Sequence, residues 1–387
     1  VSGCRSAIGT LHSGLGKMTA PQLGALAIKE AVKRSGIDVA DVEEVIMGQV
    51  VQGGSGQAPG RQAAIHGGIP PEAAVMTINK VCGSGLKAVM LAAQSIKACE
   101  QDVIVAGGME SMSLVPLAIR GAKTGVKFGH QKLDDLMISD GLWDSFGNYH
   151  MGNAAEYTRK KSNITREEQD AFAANSHAKA VAAQKAGKFD AEIFPVEIPQ
   201  RKADPIIFNK DEGPRPSVTA EKLAKLRPAF VKDGTVTAGN SPGLNDGSAA
   251  VVVVSEKYLK EKGLKPIAKI IDYTVAGTKP EDLFYSPIYA VRKLMDKMGV
   301  DINHFDLIEA NEAFSAQALA DGKELKWDWD KVNVHGGAVA LGHPIGASGA
   351  RVLVTLMYAL KDRGLKNGLA TLCLGGGHAV AMAIEMC

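Results

Sequence analysis

Two stretches of the chain share one rhythm of apolar and polar positions. LAIKEAVKRSGIDVADVEEVI (26–46) and YAVRKLMDKMGVDINHFDLIE (289–309) align at an offset of 263. Gly36 meets Gly299, Asp38 meets Asp301 and Lys29 meets Arg292. Apolar Ile28, Val32, Ile37, Val39, Val42 and Val45 meet Val291, Met295, Val300, Ile302, Phe305 and Ile308. A second pair, SGLKAVMLAAQSIK (84–97) and SGARVLVTLMYALK (348–361), aligns at 264 and repeats S-G-x-[K/R] ahead of an apolar helix. After each helix comes an apolar strand ending in glycines, VIVAGG (103–108) and LATLCLGGG (369–377). One registration from residue 26 to residue 108 marks an internal duplication.

Short apolar strands bounded by glycine and alternating with helices predict βαβ units and sheets buried on both faces. The helices at 85–97 and 349–361 are apolar almost all round, which suits a place between two sheets. The stretch 114–242 between the copies differs, being rich in charge, Pro and Gly. Over Arg201–Lys232 there are eight Lys/Arg against four Asp/Glu, a local charge of +4. It reads either as a solvated insertion or as an electropositive lid for an anionic ligand.

Composition narrows the function classes. The 387 residues are 45% hydrophobic and 22% charged, as in a soluble globular protein. Lys+Arg 44 against Asp+Glu 42 leaves +2, so no global field favours nucleic acid or an anionic membrane. No apolar run reaches the roughly 18–20 residues of a membrane span. The cysteines, Cys4, Cys82, Cys99, Cys373 and Cys387, are odd in number and widely spaced. They suit unpaired thiols in a reducing compartment, not a disulfide framework or a structural zinc site. The cytoplasm is expected. An organellar matrix stays open, because the chain starts at Val1 without Met.

Four stretches put polar or reactive groups in an apolar, glycine-rich setting: NKVCGSG with Cys82, EANEAFSAQ with Asn311, ALGHPIGASGA with His343 and LCLGGGHAVAM with Cys373. A thiol where a helix begins is either a small buried hydrophobe or a nucleophile. The helix N-terminus favours the second, since its free N–H groups lower a thiol pKa. The duplication puts all four stretches at loops or helix starts after strands, where α/β folds build sites. GASGAR and LGGGHA match neither the dinucleotide nor the P-loop pattern.

Together NKVCGSGLKAV, NEAFSAQ, GGAVALGHPIGASGAR and CLGGGHAVAMAIE, with YHMG (149–152) and TVTAGNSPGLNDGSAA, resemble the thiolase family in order and spacing. Within it the chain is most similar to the acetyl-CoA acetyltransferases, and YHMG favours that group. The resemblance implies a duplicated α/β fold, five-layered αβαβα, with two mixed five-stranded sheets. Residues 1–113, completed by 243–265, would form the N-terminal half, and 266–387 the C-terminal half. The stretch 114–242 would be an inserted, CoA-binding loop domain.

By the same resemblance Cys82 is the nucleophile, His343 its activating base and Cys373 the acid and base at C2 of the second acetyl-CoA. A thiol of ordinary pKa suits that last task. Asn311 would hold a water that forms one oxyanion hole with His343. The N–H groups of Cys82 and Gly375 would form the other. Leu142, His150, Met151, Arg215 and Phe314 would line the path of coenzyme A. Pro242 stands where a pantetheine-binding serine is usual, so that bond is lost or passes to Ser241. Lys222 replaces a serine near the adenine end and adds a cation for phosphate. His335 and His378 stand where Asn and Met or Gln are more usual, and His378 is either a perturber of Cys373 or a hydrogen-bonded neighbour. No metal and no cofactor are implied, coenzyme A being substrate and product. The partners implied are acetyl-CoA, acetoacetyl-CoA and CoA, with a homotetramer as the assembly.

Two other readings remain in the same frame. One is a thiolase for longer 3-ketoacyl chains, and the other a non-catalytic CoA-binding scaffold. Decarboxylating ketoacyl synthases share the fold but lack the second cysteine, so Cys373 argues against them.

Overall fold

A computed structural model describes residues 1–126 and 128–387. The first sheet has seven strands, and the order along it is Ile193–Phe194, Ser2–Ser6, Asn245–Val254, Val103–Ser111, Glu44–Gly48 and Ala74–Ile78. Gly9–Thr10 adds a short pairing to Asn245–Val254. Asn245–Val254 runs antiparallel to both of its long neighbours, and the remaining long pairs are parallel. The second sheet has four strands, in the order Ala268–Gly277, His378–Met386, Asn367–Leu374 and Leu307–Ala310.

The duplication read from the sequence is present strand for strand. Glu44–Gly48 lies parallel to Val103–Ser111, as Leu307–Ala310 lies parallel to Asn367–Leu374. The next strand is antiparallel in each copy. The expected five-and-five count is modified. In the second half the counterpart of Ala74–Ile78 is a single parallel bridge between Ile308 and Val332. VNVHGG at 332–337 turns into glycines too soon to extend a ladder. In the first half Ile193–Phe194, from within the 114–242 stretch, pairs parallel to Ser2–Ser6.

Helix Ala20–Ser35 starts at a Thr19–Gln22 capping box and ends at Gly36, whose φ of 72° suits glycine. Its counterpart Ser286–Met298 ends at Gly299 with φ 68°. These two helices cover the outer faces of the sheets. Between the sheets lie Ser84–Lys97 and Ile345–Arg363, giving five layers. They cross where the two S-G pairs meet. A Cβ on Gly85 would lie 2.6 Å from the backbone N of Ala350, and one on Gly349 would lie 2.3 Å from that of Leu86. Only glycine permits that approach. Leu86, Val89, Val352, Leu356, Ile308 and Leu372 pack around the crossing in one core shared by both halves.

The 114–242 stretch carries helices Met151–Lys161 and Arg166–Lys185 and several short hairpins. Buried ion pairs fasten it to the core: Arg5 bonds Glu192 at 2.6 Å and Asp211 at 2.7 and 2.9 Å. A fully buried charge is tolerated when paired and hydrogen-bonded in this way.

Candidate active site

Cys82 sits on a tight turn between strand Ala74–Ile78 and helix Ser84–Lys97. Asn79 Oδ1 accepts the Val81 N–H at 2.9 Å, and Asn79 Nδ2 donates to the Val50 carbonyl at 3.1 Å. Ser84 Oγ accepts the Lys80 N–H at 2.8 Å and donates to the Val81 carbonyl at 2.6 Å. The N–H groups of Gly375 and of Cys82 itself face the sulfur. Part of the residue reaches the surface while its thiol lies in the cleft.

This corrects one expectation. The helix start and the two N–H groups pull the Cys82 thiol toward ionisation, but burial outweighs them and pushes it up to about 12. At neutral pH Cys82 is a neutral thiol. The same holds for Cys373, expected near the ordinary range. Burial first, then the nearness of the titratable Cys82 and Asp321, push it well above the usual thiol value. The strand that carries Cys373 runs on into Gly375, whose N–H faces the Cys82 sulfur. Cys373, at the end of strand Asn367–Leu374, packs with Ala313, Phe314, Leu283 and Phe284.

His343 follows Gly342, whose φ is 108°. Its N–H donates to Asn245 Oδ1 at 2.9 Å. Nδ1 lies 2.6 Å from Ser348 Oγ, and that hydroxyl donates to the Pro344 carbonyl at 3.0 Å. With its proton so committed, Ser348 accepts from Nδ1–H, which leaves the Nε2 lone pair free. Nε2 lies 3.4 Å from Asn311 Nδ2. Burial, then the charge of Arg351, push His343 down to about 3, so the imidazole is neutral. Asn311 ends strand Leu307–Ala310, fully buried, and its Oδ1 has no partner among the described residues. A buried amide oxygen left open suits a ligand or water.

The residues expected along the coenzyme A path fall into two groups. Leu142 packs with Cys82, Val50, Met112 and Ile345. Met151 and Phe314 pack with Cys373, and the His150 ring stacks on Phe230 at 4.9 Å. Phe230 meets Phe314 edge-on at 6.2 Å. Farther along the insertion, Arg215 and Lys222 are exposed, and Lys222 Nζ donates to the Ser217 carbonyl at 2.8 Å. Among the described residues no contact joins either cation to the thiols. Ser241 is buried and its hydroxyl donates to the Thr237 carbonyl at 2.8 Å, so its proton does not replace the donor lost at Pro242.

His335 turns away from the thiols, while His378 pairs with Leu374 beside Cys373 and faces outward. The His335 ring meets Phe189 edge-on at 5.8 Å, its Nε2 is unpartnered among the described residues, and burial pushes it down to about 4. The His378 side chain is exposed, with Lys80 as the charge that acts on it.

Several residues escaped the sequence reading. Ser348 and Asn245 hold His343, although Ser348 stands in the repeated S-G pair. Glu110 is fully buried. Its Oε2 accepts from Val50 and Gly346 at 2.9 Å each, and burial pushes it up to about 7. The signal for it was an acid closing an apolar strand. No group of three or more His, Cys, Asp or Glu among the described residues is arranged to hold a metal. A cavity of about 550 Å³ lies elsewhere, against Val89, Val251, Leu353, Met357 and Ile384, and contains none of these residues.

Known proteins match the chain over nearly its whole length. A family model described as "Thiolase, N-terminal domain" matches residues 1–257, and "Thiolase, C-terminal domain" matches 264–386. An acetyl-CoA acetyltransferase of Pseudomonas aeruginosa is 54% identical over 384 residues, covering 99% of this chain and 98% of the relative. One of Cupriavidus necator is 54% identical over 385 residues, covering 100% and 98%. The crystal structure of the Bacillus anthracis acetyl-CoA acetyltransferase superposes with a TM-score of 0.98 at 45% identity, covering 100% of this chain and 98% of that one. With both halves of the family matched in order over nearly the whole chain, it belongs to the thiolase family.

Proposed function

We propose that this chain is an acetyl-CoA C-acetyltransferase, condensing two acetyl-CoA to acetoacetyl-CoA and CoA, reversibly, through an acetyl-Cys82 intermediate. The observation that carries the reading is the Gly375 N–H, two residues beyond Cys373, facing the sulfur of Cys82 from the other half of the fold, with the neutral His343 two residues before Ile345 of the cluster that packs against Cys82. His343 Nε2 takes the Cys82 proton, and the sulfur attacks the thioester carbonyl. The departing CoA sulfur takes the Cys373 proton. The Cys373 thiolate then removes a proton from C2 of the second acetyl-CoA. The resulting carbanion attacks acetyl-Cys82, and the released Cys82 sulfur recovers its proton from His343.

The N–H groups of Cys82 and Gly375 stabilise the oxyanion of the acyl step, and Asn311, through a water, does so with His343 at the enolate. Removing one such donor typically costs roughly 3–4 kcal/mol. Burial raises both thiols, so charge separates only once substrate occupies the site.

Leu142, His150, Met151 and Phe314 line the pantetheine path, and Arg215 and Lys222 meet the phosphates. No metal or cofactor takes part. The assembly is a homotetramer. Two features support association: the edge strand Ala74–Ile78 exposes Met76 at 44%, and Leu117, Val126 and Leu133 stand exposed in the inserted stretch. Unpaired thiols suit the cytoplasm. The packing of Met151 and Phe314 against Cys373 favours the short substrate over longer 3-ketoacyl chains.

The test is thiolysis of acetoacetyl-CoA, with acetyl-CoA labelling followed by peptide mass spectrometry. Acetylation at Cys82, and loss of turnover in Cys82→Ala, are expected. Faster thiolysis of long 3-ketoacyl substrates would move the assignment to the other thiolase group, and no acyl adduct on any cysteine would end it.

A further inference from the structure

Val81, the residue before Cys82, has φ 45°, in the left-handed region. Eight non-glycine residues have positive φ among those described, and Val81 is the β-branched one. A β-branched residue there is an outlier, since its Cβ substituents crowd the backbone. Such a conformation persists only where its surroundings over-determine it.

Here they do. The Val81 N–H is held by Asn79 Oδ1 at 2.9 Å. The Val81 carbonyl takes Ser84 Oγ at 2.6 Å and the Ser84 N–H at 3.0 Å. On one side the Lys80 N–H binds Ser84 Oγ at 2.8 Å, and on the other Gly83 N–H binds the Lys80 carbonyl at 3.2 Å. The N–H and carbonyl of both Lys80 and Val81 are engaged.

The choice of valine needs a reason, because glycine is the low-strain residue at positive φ. The chain does use glycine directly before its other reactive residue. Gly342, before His343, has φ 108°, and a Cβ there would lie 2.5 Å from Asn245 Cγ. At Val81 there is room for a side chain, and the side chain has a contact that glycine would lose. It packs between two apolar clusters. A Cβ built on Gly375 would lie 3.3 Å from Val81 Cγ1 and 3.9 Å from Val81 Cγ2, the nearest atoms it would meet, so the Val81 side chain fills the space beside that turn. Gly375 opens the glycine turn Gly375–Gly377, in which Gly376 and Gly377 have φ 81° and 84°. Its N–H faces the Cys82 sulfur.

We propose that Val81 is a positioning residue for acyl transfer: its side chain wedges the Gly375 turn at the height where that N–H meets Cys82. The strained backbone aims sulfur and wedge together. The inference rests on Cys82 being the acylated residue and adds a role for its neighbour. Val81 touches no substrate in this scheme. It acts through Gly375, in the other half of the duplicated fold.

Three variants test it: Val81→Ala, Val81→Gly and the isosteric Val81→Thr. Each is measured for thermal midpoint, for kcat and KM of thiolysis, and for the rate of Cys82 alkylation by iodoacetamide. Ala and Gly remove the wedge, so kcat and alkylation rate fall, roughly tenfold, with KM within about twofold. Thr keeps the shape, and all three quantities stay within about twofold of the parent. Gly relieves the backbone, so Val81→Gly melts above Val81→Ala, the reverse of the order at ordinary φ. Wild-type kcat and alkylation rate in folded Val81→Ala would overturn the proposal, as would a tenfold loss in Val81→Thr. A midpoint for Val81→Gly below that of Val81→Ala would remove the strain argument. If the first two variants do not fold, Val81→Thr alone decides. Failure of the thiolase reading is distinct, since it shows in the parent protein as acetylation away from Cys82.

Discussion

The starts of the two central helices, Ser84–Lys97 and Ile345–Arg363, are copies of one device put to different uses. In the first copy Ser84 holds backbone: its hydroxyl takes the Lys80 N–H and gives to the Val81 carbonyl. In the second, Ser348 holds a side chain: its hydroxyl binds His343 Nδ1 and gives to the Pro344 carbonyl. The nucleophile is thus positioned by its own turn and the base by its ring partner. A thiol is small, with one torsion, so aiming the backbone aims the sulfur. An imidazole has two inequivalent nitrogens, and aiming it needs a partner that also fixes the proton. The duplicated scaffold supplies equivalent sites, and local side chains turn one into a nucleophile and the other into a base.

Breaking the scaffold should cost most. Gly85 and Gly349 are symmetric in role, so Gly→Ala at either should destabilise both halves together. The Cβ would meet backbone at 2.6 and 2.3 Å respectively, which cannot relax by rotating a side chain. We expect a loss of about 3 kcal/mol or more for Gly349→Ala, with Gly85→Ala similar. Chemical denaturation reads it. A loss under about 1 kcal/mol would show that the helices do not cross so closely.

The next effect separates the two serines. Ser348→Ala removes the partner of Nδ1 and frees the tautomer. A lost bond of about 1.5–3 kcal/mol predicts a roughly tenfold to hundredfold fall in kcat, with a smaller loss of stability. Ser84→Ala should do the reverse, lowering the melting temperature through the orphaned Lys80 N–H and sparing more of kcat per folded molecule. Equal effects on kcat and stability in both variants would erase the distinction.

Much of this layout was legible in the sequence, for a physical reason. The S-G pairs recur because glycine is forced at a helix crossing and serine at a helix start, and both demands are local. The alternation of helix and strand followed from periodicity and from the registration of the copies. What sequence could not give was set by distant neighbours. The rule that a helix start acidifies a thiol is sound, but the apolar cluster that packs against Cys82 gathers Val50, Met112, Met137 and Ile345 from distant parts of the chain. The sheet edge formed by Ile193–Phe194 lies inside a stretch whose composition reads as loop. His335 follows the same pattern: near His343 in number, it turns toward Phe189 instead.

His335 gives a third test, because the second half holds two neutral buried imidazoles, His335 and His343. The folded value of His335 is about 4, against an ordinary 6.5. Below about pH 6.5 the unfolded chain takes up a proton that the folded chain refuses, so this stability is lost as pH falls. Glu110 and Glu309, raised to about 7 by burial, act in the opposite sense over the same range, so a variant must isolate the imidazole. Between about pH 7 and about pH 5 the His335 contribution lost is about 2 kcal/mol. His335→Asn should therefore lose less stability than the parent over that range, at unchanged kcat. Parallel stability curves would mean that His335 is charged or open to solvent when folded.

The smallest effect belongs outside both copies. If the halves react and the insertion binds, Arg215 and Lys222 contribute only affinity. Both are exposed, and Lys222 already donates to the Ser217 carbonyl, so each contact with a phosphate is screened and competes with water. Arg215→Ala with Lys222→Ala should raise KM for acetoacetyl-CoA about threefold to tenfold, at a kcat within about twofold. Loss of binding shared equally by ground and transition states has that signature. The ratio of KM values should shrink as salt rises toward about 1 M, where screening acts over about 3 Å. A tenfold fall in kcat at constant KM would place these cations in the reaction itself. The division between reacting halves and binding insertion would then have to be redrawn.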